Sequence, residues 1–157
     1  MLSGVAAAIR KLNEARVPVV VVTNQSGVGR GYFPESLVRE VHERMIAELT
    51  GEGARLDGVY YCPHVNADEC ACRKPKTGML EQAAAELQLD LKKSFVVGDR
   101  GGDVELAHRA GSRSILVRTG FGEGELAWHV AEWKRQPDFV AKDIAEAADW
   151  ILMELRR

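Results

Sequence analysis

The chain has few of the features that mark membrane, secreted or nucleic-acid-binding proteins. Its longest strongly apolar run, Val17–Val22, has six residues and contains Pro18, whereas a membrane-spanning helix needs roughly 20. Arg10 and Lys11 interrupt the Ala-rich start before the apolar core of a signal peptide forms. Lys+Arg 21 and Asp+Glu 23 give a net charge of −2, so there is no cationic excess for nucleic acid. We therefore expect a cytoplasmic protein with no membrane or nucleic-acid partner.

Cysteine is also scarce, and its count is odd. Three cysteines cannot all pair, which argues against a disulfide framework and for a reducing compartment. The length of 157 residues fits one domain, at roughly 150 residues per domain. A hydrophobic fraction of 46% with 28% charged residues is typical of a folded globular protein rather than a disordered one.

The sequence does contain an alternation of strand-like and helix-like segments. Buried strands are predicted at 19–23, 58–62, 95–98, 115–117 and 139–140. The predicted helices include one that begins at Pro34 with the stripe Leu37, Val41, Met45 and Leu49, one that begins near Asp103, and one over 144–155. This alternation indicates an α/β fold, a Rossmann-like parallel sheet flanked by helices. Ligands of such folds bind beyond the carboxyl ends of the strands.

The strongest local signal is a group of metal-ligating residue types. Cys62-x-His64 is followed, after five residues, by Cys70-x-Cys72. Residues two apart in an extended segment point the same way, so each pair can direct two ligands to one point. Three thiolates and one imidazole suit a closed, structural Zn²⁺ site. The alternatives are small buried apolar residues beside a surface histidine, or a redox pair at Cys70 and Cys72, although no positively charged helix start adjoins them.

Polar residues follow the first predicted strand. Thr23 ends that strand, and Asn24, Gln25 and Ser26 lead into a Gly-rich turn. A hydroxyl with free backbone N–H groups at a strand end is typical of a phosphate-binding loop, although a capped strand-to-loop turn is the alternative. The Gly27-x-Gly29-x-Gly31 spacing, with no helix predicted directly after it, does not fit the dinucleotide-binding pattern.

Two further loops carry charge. Arg73 and Lys74 directly follow the cysteine group, where a guanidinium fork and an ammonium group suit a phosphate ester; a solvated basic turn is the alternative. Asp99 and Asp103 lie on a Gly-rich loop after a buried strand, and such carboxylates are ligands for Mg²⁺. Asp103 can equally be a helix N-cap.

Taken in chain order, these motifs resemble those of the haloacid dehalogenase superfamily. The matching segments are Thr23–Gly27, Cys62–Pro75 and Gly98–Asp103. The cysteine arms joined to Arg-Lys-Pro resemble the zinc-containing branch of D-glycero-D-manno-heptose-1,7-bisphosphate 7-phosphatases and histidinol-phosphate phosphatases. The resemblance implies a haloacid dehalogenase-like fold and a Mg²⁺-dependent phosphoric monoester hydrolase of the aspartyl-phosphate type, acting on a small phosphorylated substrate.

The resemblance also assigns roles to individual residues. It implies that Thr23 and Lys74 are catalytic, and that substrate is bound by Asn24, Gln25, Ser26, Arg73 and Arg100. It implies that Zn²⁺ is bound by Cys62, His64, Cys70 and Cys72, and that Mg²⁺ is bound by Asp99. Asp103 is then either a further Mg²⁺ ligand or a residue that supports the ligands without touching the ion.

Two details bear on the substrate. The runs 29–33 and 77–79 resemble the heptose members, whereas the five-residue spacer between the cysteine arms resembles the histidinol-phosphate members. We expect the 7-phosphate of D-glycero-D-manno-heptose 1,7-bisphosphate to be the substrate. Histidinol phosphate, and a non-catalytic zinc-stabilised phosphate-binding module, are the alternatives.

One family motif is missing from the sequence. The superfamily opens with a central strand ending in Asp-x-Asp-x-Thr, whose first carboxylate is the nucleophile, and no Asp-x-Asp occurs in the 157 residues. We expect residues 1–157 to be a single, N-terminally truncated haloacid dehalogenase-like domain with a zinc-binding loop at 62–72. The expected gap lies between the strands at 19–23 and 95–97. As written, the chain should be inactive, and its exposed strand edges favour association where the full-length family is monomeric.

Overall fold

A computed structural model describes residues 2–157, which form alternating strands and helices. The strands are β1 (Val20–Asn24), β2 (Gly58–Cys62), β3 (Phe95–Gly98), β4 (Arg113–Val117) and β5 (Phe139–Ala141). The helices are α1 (Val5–Glu14), α2 (Ser26–Gly29), α3 (Glu35–Gly51), α4 (Gly78–Leu87), α5 (Gly101–Ala110), α6 (Gly122–Trp128) and α7 (Ile144–Leu155). None of these helices is both long and apolar enough to cross a membrane.

All strand pairs are parallel, but they form two separate sheets. β1 pairs with β2, with Val20 opposite Gly58, and β4 pairs with β3 on one side and β5 on the other. Within residues 2–157, β1 and β3 each have a partner strand on one side only. The predicted parallel α/β fold is therefore confirmed, and the interruption lies between the two strands where the sequence placed it.

Helices cover both faces of the strands. On one face, α1 and α7 bury Leu12 and Ile151 against β4 and β5. On the other face, α4 and α5 pack Leu80 and Leu106 against Val96 of β3. Full burial of each such aliphatic side chain contributes about 1.5–3 kcal/mol to folding. The strand ends that carry the polar loops are thus fixed by apolar packing on both sides.

The structure differs from the sequence prediction in three local details. α3 begins at Glu35, and its predicted stripe is half wrong, because Leu37 and Val41 are 43% and 57% exposed. α3 packs beside α1 through Met45 and Leu49, and in its first turn the buried side chain is that of Val38 rather than Leu37. α2 follows β1 almost directly, where no helix was predicted, and α5 begins at Gly101 rather than near Asp103.

Candidate active site at the carboxyl edge of the strands

The four predicted metal ligands lie together at the end of β2. Their ligand atoms are all within 4.8 Å of one another. His64 Nδ1 lies 3.6 Å from Cys62 Sγ and 3.3 Å from Cys72 Sγ, and Cys70 Sγ lies 3.6 Å and 3.4 Å from the same two sulfurs. Such a cluster, with Cys62 fully buried, can hold a metal ion.

The protonation of the thiols is uneven in this cluster. Burial, followed by the hydrogen bond with Cys72, raises the pKa of the Cys62 thiol to about 12. For Cys70, burial acts to raise the pKa, but hydrogen bonds from Cys72 and from neighbouring backbone amides outweigh it, and the pKa falls to about 6. Because a metal binds thiolates, loading the cluster releases the protons that its thiols carry.

The loop that carries the cluster is tied to the Gly-rich turn after β1. Gly29 N donates to Pro63 O at 3.0 Å, and a Cβ on Gly29 would lie 2.8 Å from that oxygen. Gln25 N donates to Cys62 O at 2.7 Å. The glycine at position 29 thus serves close packing of two loops, which places the metal cluster beside the predicted phosphate-binding turn.

Lys74 reaches from the cluster loop across the carboxyl edge of the strands. Its Nζ donates to Val22 O at 3.2 Å and to Asp103 Oδ1 at 2.7 Å. The Lys74 side chain is 21% exposed and the Asp103 side chain 10%. The ammonium group is therefore held between the end of β1 and the start of α5, with part of its surface open to a ligand.

Asn24 holds the backbone of Lys74 in place. Its Nδ2 donates to Lys74 O at 3.2 Å, and its Oδ1 accepts from Lys74 N at 3.0 Å. Both ends of the amide are thereby engaged. The sequence assigned Asn24 to substrate binding, and in the structure its amide is hydrogen-bonded to the backbone of the catalytic candidate Lys74.

Arg73 is similarly anchored, on the metal-cluster side. Its Nε donates to Asn66 Oδ1 at 2.6 Å, and its Nη1 donates to His64 O at 3.1 Å. The guanidinium is therefore bound to the loop that carries the cysteine cluster. Thr23, on β1, accepts a hydrogen bond from Gln25 Nε2 at 3.3 Å.

Asp99 and Arg100 follow β3 and contact the loop after β4. Asp99 Oδ2 accepts from Phe121 N at 3.0 Å, and the Arg100 guanidinium carbon lies 3.8 Å above the centre of the Phe121 ring. Gly120 has φ +65°, and a Cβ there would lie 2.2 Å from Asp99 Oδ2, so only glycine fits. Phe121 was not predicted as a site residue from the sequence, where its signal is the Gly-Phe-Gly triplet that follows β4 after two intervening residues.

Asp103 is a structural partner of the other charged groups. Its Oδ1 is bound to Lys74, and its Oδ2 accepts from Arg100 N at 3.2 Å. A Cβ on Gly98 would lie 2.4 Å from the Asp103 carboxyl. Asp103 is therefore the third residue of α5 and accepts from the backbone amide of Arg100, which is the N-cap, so the N-cap role that the sequence offered for Asp103 is wrong. Its other carboxylate oxygen is paired with Lys74.

Comparisons of the sequence with known proteins identify a matching family and similar phosphatases. The HAD-hydrolase-like family model matches residues 71–147. The D-glycero-D-manno-heptose-1,7-bisphosphate 7-phosphatase of Thermosynechococcus vestitus is 40% identical over 166 residues, covering 99% of this chain and 84% of that protein. That of Pseudomonas putida is 42% identical over 125 residues, covering 80% and 71%.

A solved structure of a similar protein has the same fold. The D,D-heptose 1,7-bisphosphate phosphatase of B. bronchiseptica, complexed with magnesium and phosphate, matches with a TM-score of 0.87 and 36% identity, covering 98% of this chain and 84% of that chain. With its parallel α/β fold, a Cys3His cluster and a lysine held at the strand edge, this chain belongs to the haloacid dehalogenase-like phosphoric monoester hydrolases, in the family of the D-glycero-D-manno-heptose-1,7-bisphosphate 7-phosphatases.

Proposed function

We propose that this chain provides the binding site of a phosphatase for the 7-phosphate of D-glycero-D-manno-heptose 1,7-bisphosphate. The observation that carries the proposal is the placement of Lys74, whose ammonium is held at the carboxyl edge by Val22 O and Asp103. A fixed cation at this edge stabilises the charge that develops on a transferring phosphoryl group. The names of the relatives supply the sugar.

The other side chains of the site bind different parts of the substrate in this proposal. Thr23 offers its hydroxyl to the phosphoryl oxygens, with Gln25 and Ser26 beside it on the turn. Arg73 and Arg100 carry the guanidinium groups that recognise the rest of the anionic substrate. Asn24 acts through Lys74 rather than on the substrate, because its amide is already bound to the Lys74 backbone.

We propose zinc for the cysteine cluster and magnesium for Asp99. Ligands ~2.3 Å from zinc in a tetrahedron lie about 3.8 Å apart, close to the 3.3–3.6 Å between the neighbouring atoms here. Of the two carboxylate oxygens of Asp99, Oδ2 has a hydrogen-bond partner within residues 2–157 and Oδ1 has none. Oδ1 is therefore available to a hard cation. Mg²⁺, when bound, offsets the repulsion between a carboxylate and the phosphate dianion.

Residues 1–157 alone should bind a phosphate ester without hydrolysing it. The family's chemistry needs a carboxylate nucleophile, and no Asp-x-Asp is present in the sequence. A non-catalytic zinc-stabilised phosphate-binding module is the second candidate, favoured by that same observation. Under either function we propose a single cytoplasmic domain with a small phosphorylated ligand.

One experiment separates the two candidates. Hydrolysis of heptose 1,7-bisphosphate and of histidinol phosphate is measured with zinc-loaded 1–157 and with a chain to which a strand ending in Asp-x-Asp-x-Thr is joined ahead of residue 1. The enzyme proposal expects release of phosphate from the heptose compound by the extended chain only. A matched extended chain with Asn in place of the first Asp should be inactive.

One outcome of these measurements would contradict the enzyme proposal. If the extended chain folds, binds inorganic phosphate and still releases none from either ester, the non-catalytic module is the better description. A Lys74→Met variant of the extended chain should lose activity with its fold intact. Full activity of that variant would contradict the role of Lys74.

A further inference from the structure

Arg100 and Phe121 form a stacked pair at the carboxyl edge of the strands, beside Asp99. The Arg100 guanidinium carbon lies 3.8 Å above the centre of the Phe121 ring, which brings the two flat groups into van der Waals contact. A guanidinium in this position has one face covered by the ring, while its N–H groups point outward in its own plane. A phosphate therefore meets Arg100 edge-on, in the orientation that a pair of parallel N–H donors requires.

Backbone contacts hold the two residues in place. Arg100 is the N-cap of α5, and its backbone N donates to Asp103 Oδ2 at 3.2 Å. Phe121 N donates to Asp99 Oδ2 at 3.0 Å, so the residue before Arg100 is tied to the loop that carries Phe121. The position of the stacked pair is therefore set by the two loops and not by the two side chains alone.

The guanidinium of Arg100 has no other use in the fold. Arg73 donates to two groups of the loop that carries the cysteine cluster, and Arg118 is paired with Glu123. Within residues 2–157, Arg100 donates from its backbone N, and its guanidinium lies on the Phe121 ring without a hydrogen-bond acceptor. All of its side-chain donors are thus available to an anionic group of a ligand.

Phe121 has no role in the apolar core. Its side chain is 60% exposed, and it belongs to none of the core clusters in the described part of the chain. Its ring packs on Arg100 instead. A cation–π contact at an exposed site favours the stacked conformation of an arginine by a factor of about two to five.

We infer that Phe121 is a positioning residue that sets substrate preference: it holds Arg100 ready for a second anionic group, so that the site favours a sugar bisphosphate over a monophosphate. This inference rests on the proposed function, in which Lys74 meets the phosphoryl group that is transferred. Lys74 Nζ and Arg100 N share the Asp103 carboxylate, through Oδ1 at 2.7 Å and Oδ2 at 3.2 Å. The two cationic residues are thus neighbours on one edge, where a sugar with two phosphates can meet both.

The preference arises from the order that the ring imposes before the ligand binds. An arginine loses rotamer freedom when it binds a phosphate. Part of that freedom is already lost when Arg100 is stacked on Phe121, so binding of a second phosphate is favoured. A monophosphate has no group for Arg100 and gains nothing from the stacking. Phe121 should therefore change the ratio of the two affinities and leave the affinity for the monophosphate as it is.

The test is calorimetric titration of zinc-loaded 1–157, in buffer with Mg²⁺, with D-glycero-D-manno-heptose 1,7-bisphosphate and with the 7-monophosphate of the same sugar. The ratio of the two affinities should fall about two- to five-fold in Phe121→Leu, which keeps an apolar side chain and removes the aromatic face. Phe121→Trp supplies a better cation–π partner and should keep or raise the ratio. A residue with a merely structural role would not give this order, because Trp changes the volume of the side chain as well.

Trp128 provides a matched control on the same segment of the chain. Its side chain is 78% exposed, and no cation within residues 2–157 lies over its ring. Trp128→Leu should therefore leave the affinity ratio unchanged. Arg100→Gln should remove most of the preference for the bisphosphate, and Phe121→Leu should then have no further effect, because Phe121 acts through Arg100.

The outcomes separate this inference from the proposed function. An unchanged ratio in Phe121→Leu, with binding of the monophosphate intact, overturns the inference and leaves the proposed function standing. Equal weakening of both compounds by Phe121→Leu does the same, as does a further effect of Phe121→Leu in the Arg100→Gln background. Failure of the wild-type chain to bind either compound overturns the proposed function, and the inference with it.

Discussion

Replacing Asn24 by Ala should weaken the site by releasing the loop that carries Lys74. The substitution removes both hydrogen bonds to the Lys74 backbone, at 3.2 Å and 3.0 Å, and leaves an N–H and a C=O partly buried without partners. At about 1–3 kcal/mol for each of these two groups, the loss of unfolding free energy should be about 2–6 kcal/mol. Because Lys74 Nζ is placed by this loop, affinity for phosphate should fall as well.

The chain contains a matched control on its surface. Asn13 makes the same two bonds with Arg55, through Nδ2 to Arg55 O at 3.1 Å and from Arg55 N to Oδ1 at 2.8 Å, but in an exposed position. Water replaces those bonds when they are lost, so Asn13→Ala should cost about 1 kcal/mol or less and leave phosphate binding unchanged.

The assay is urea unfolding of the zinc-loaded variants, followed by calorimetric titration with inorganic phosphate. Asn24→Asp keeps the acceptor for Lys74 N and gives a second, milder variant should Asn24→Ala fail to fold. Equal losses from Asn24→Ala and Asn13→Ala, or unchanged phosphate affinity in Asn24→Ala, would refute the reasoning.

Three other perturbations test separate parts of the structure. Chelation of zinc should lower the thermal unfolding midpoint of the chain and the order of the 62–72 loop, since residues 65–69 between the two cysteine arms have little apolar content. Retention of both the midpoint and the loop order after verified metal removal would contradict the proposed site. Gly98→Ala should cost about 1–3 kcal/mol by overpacking against Asp103, whereas Gly102→Ala, with open space around it, should be neutral or stabilising in a urea titration. Burial acts to raise the pKa of Asp138, but hydrogen bonds from Ser114 outweigh it and lower the pKa. A carboxyl group with a lowered pKa stabilises the fold at pH values above its unfolded pKa of about 3.9. This stabilisation is lost as the pH falls through the folded pKa. Asp138→Asn should therefore make the free energy of unfolding fall less steeply as the pH is lowered in this acidic range.

Local chemistry in the sequence predicted much of the site. The two cysteine arms, the charged loops and the strand ends depend on spacing over a few residues, and the structure brings the metal ligands together as that spacing requires. The parallel α/β fold follows from the alternation of apolar strands with amphipathic helices, because each pattern has its own period. The residues that would contact phosphate were likewise named from the ends of predicted strands.

The same local patterns were misleading where burial depends on distant elements. The stripe of α3 has helical spacing, yet Leu37 and Val41 are exposed while the neighbouring Val38 is buried, because the elements around a helix decide which of its side chains meet the core. No window of the sequence contains that information.

What the sequence by itself determined was the chemistry: which side chains are available and which strand or loop carries each of them. Only the tertiary structure decided the use of Asn24 as a support for Lys74 and the contact of Phe121 with Asp99. These two contacts join residues that are 50 and 22 positions apart in the chain. Their geometry depends on how strands and helices pack, which short-range spacing cannot encode.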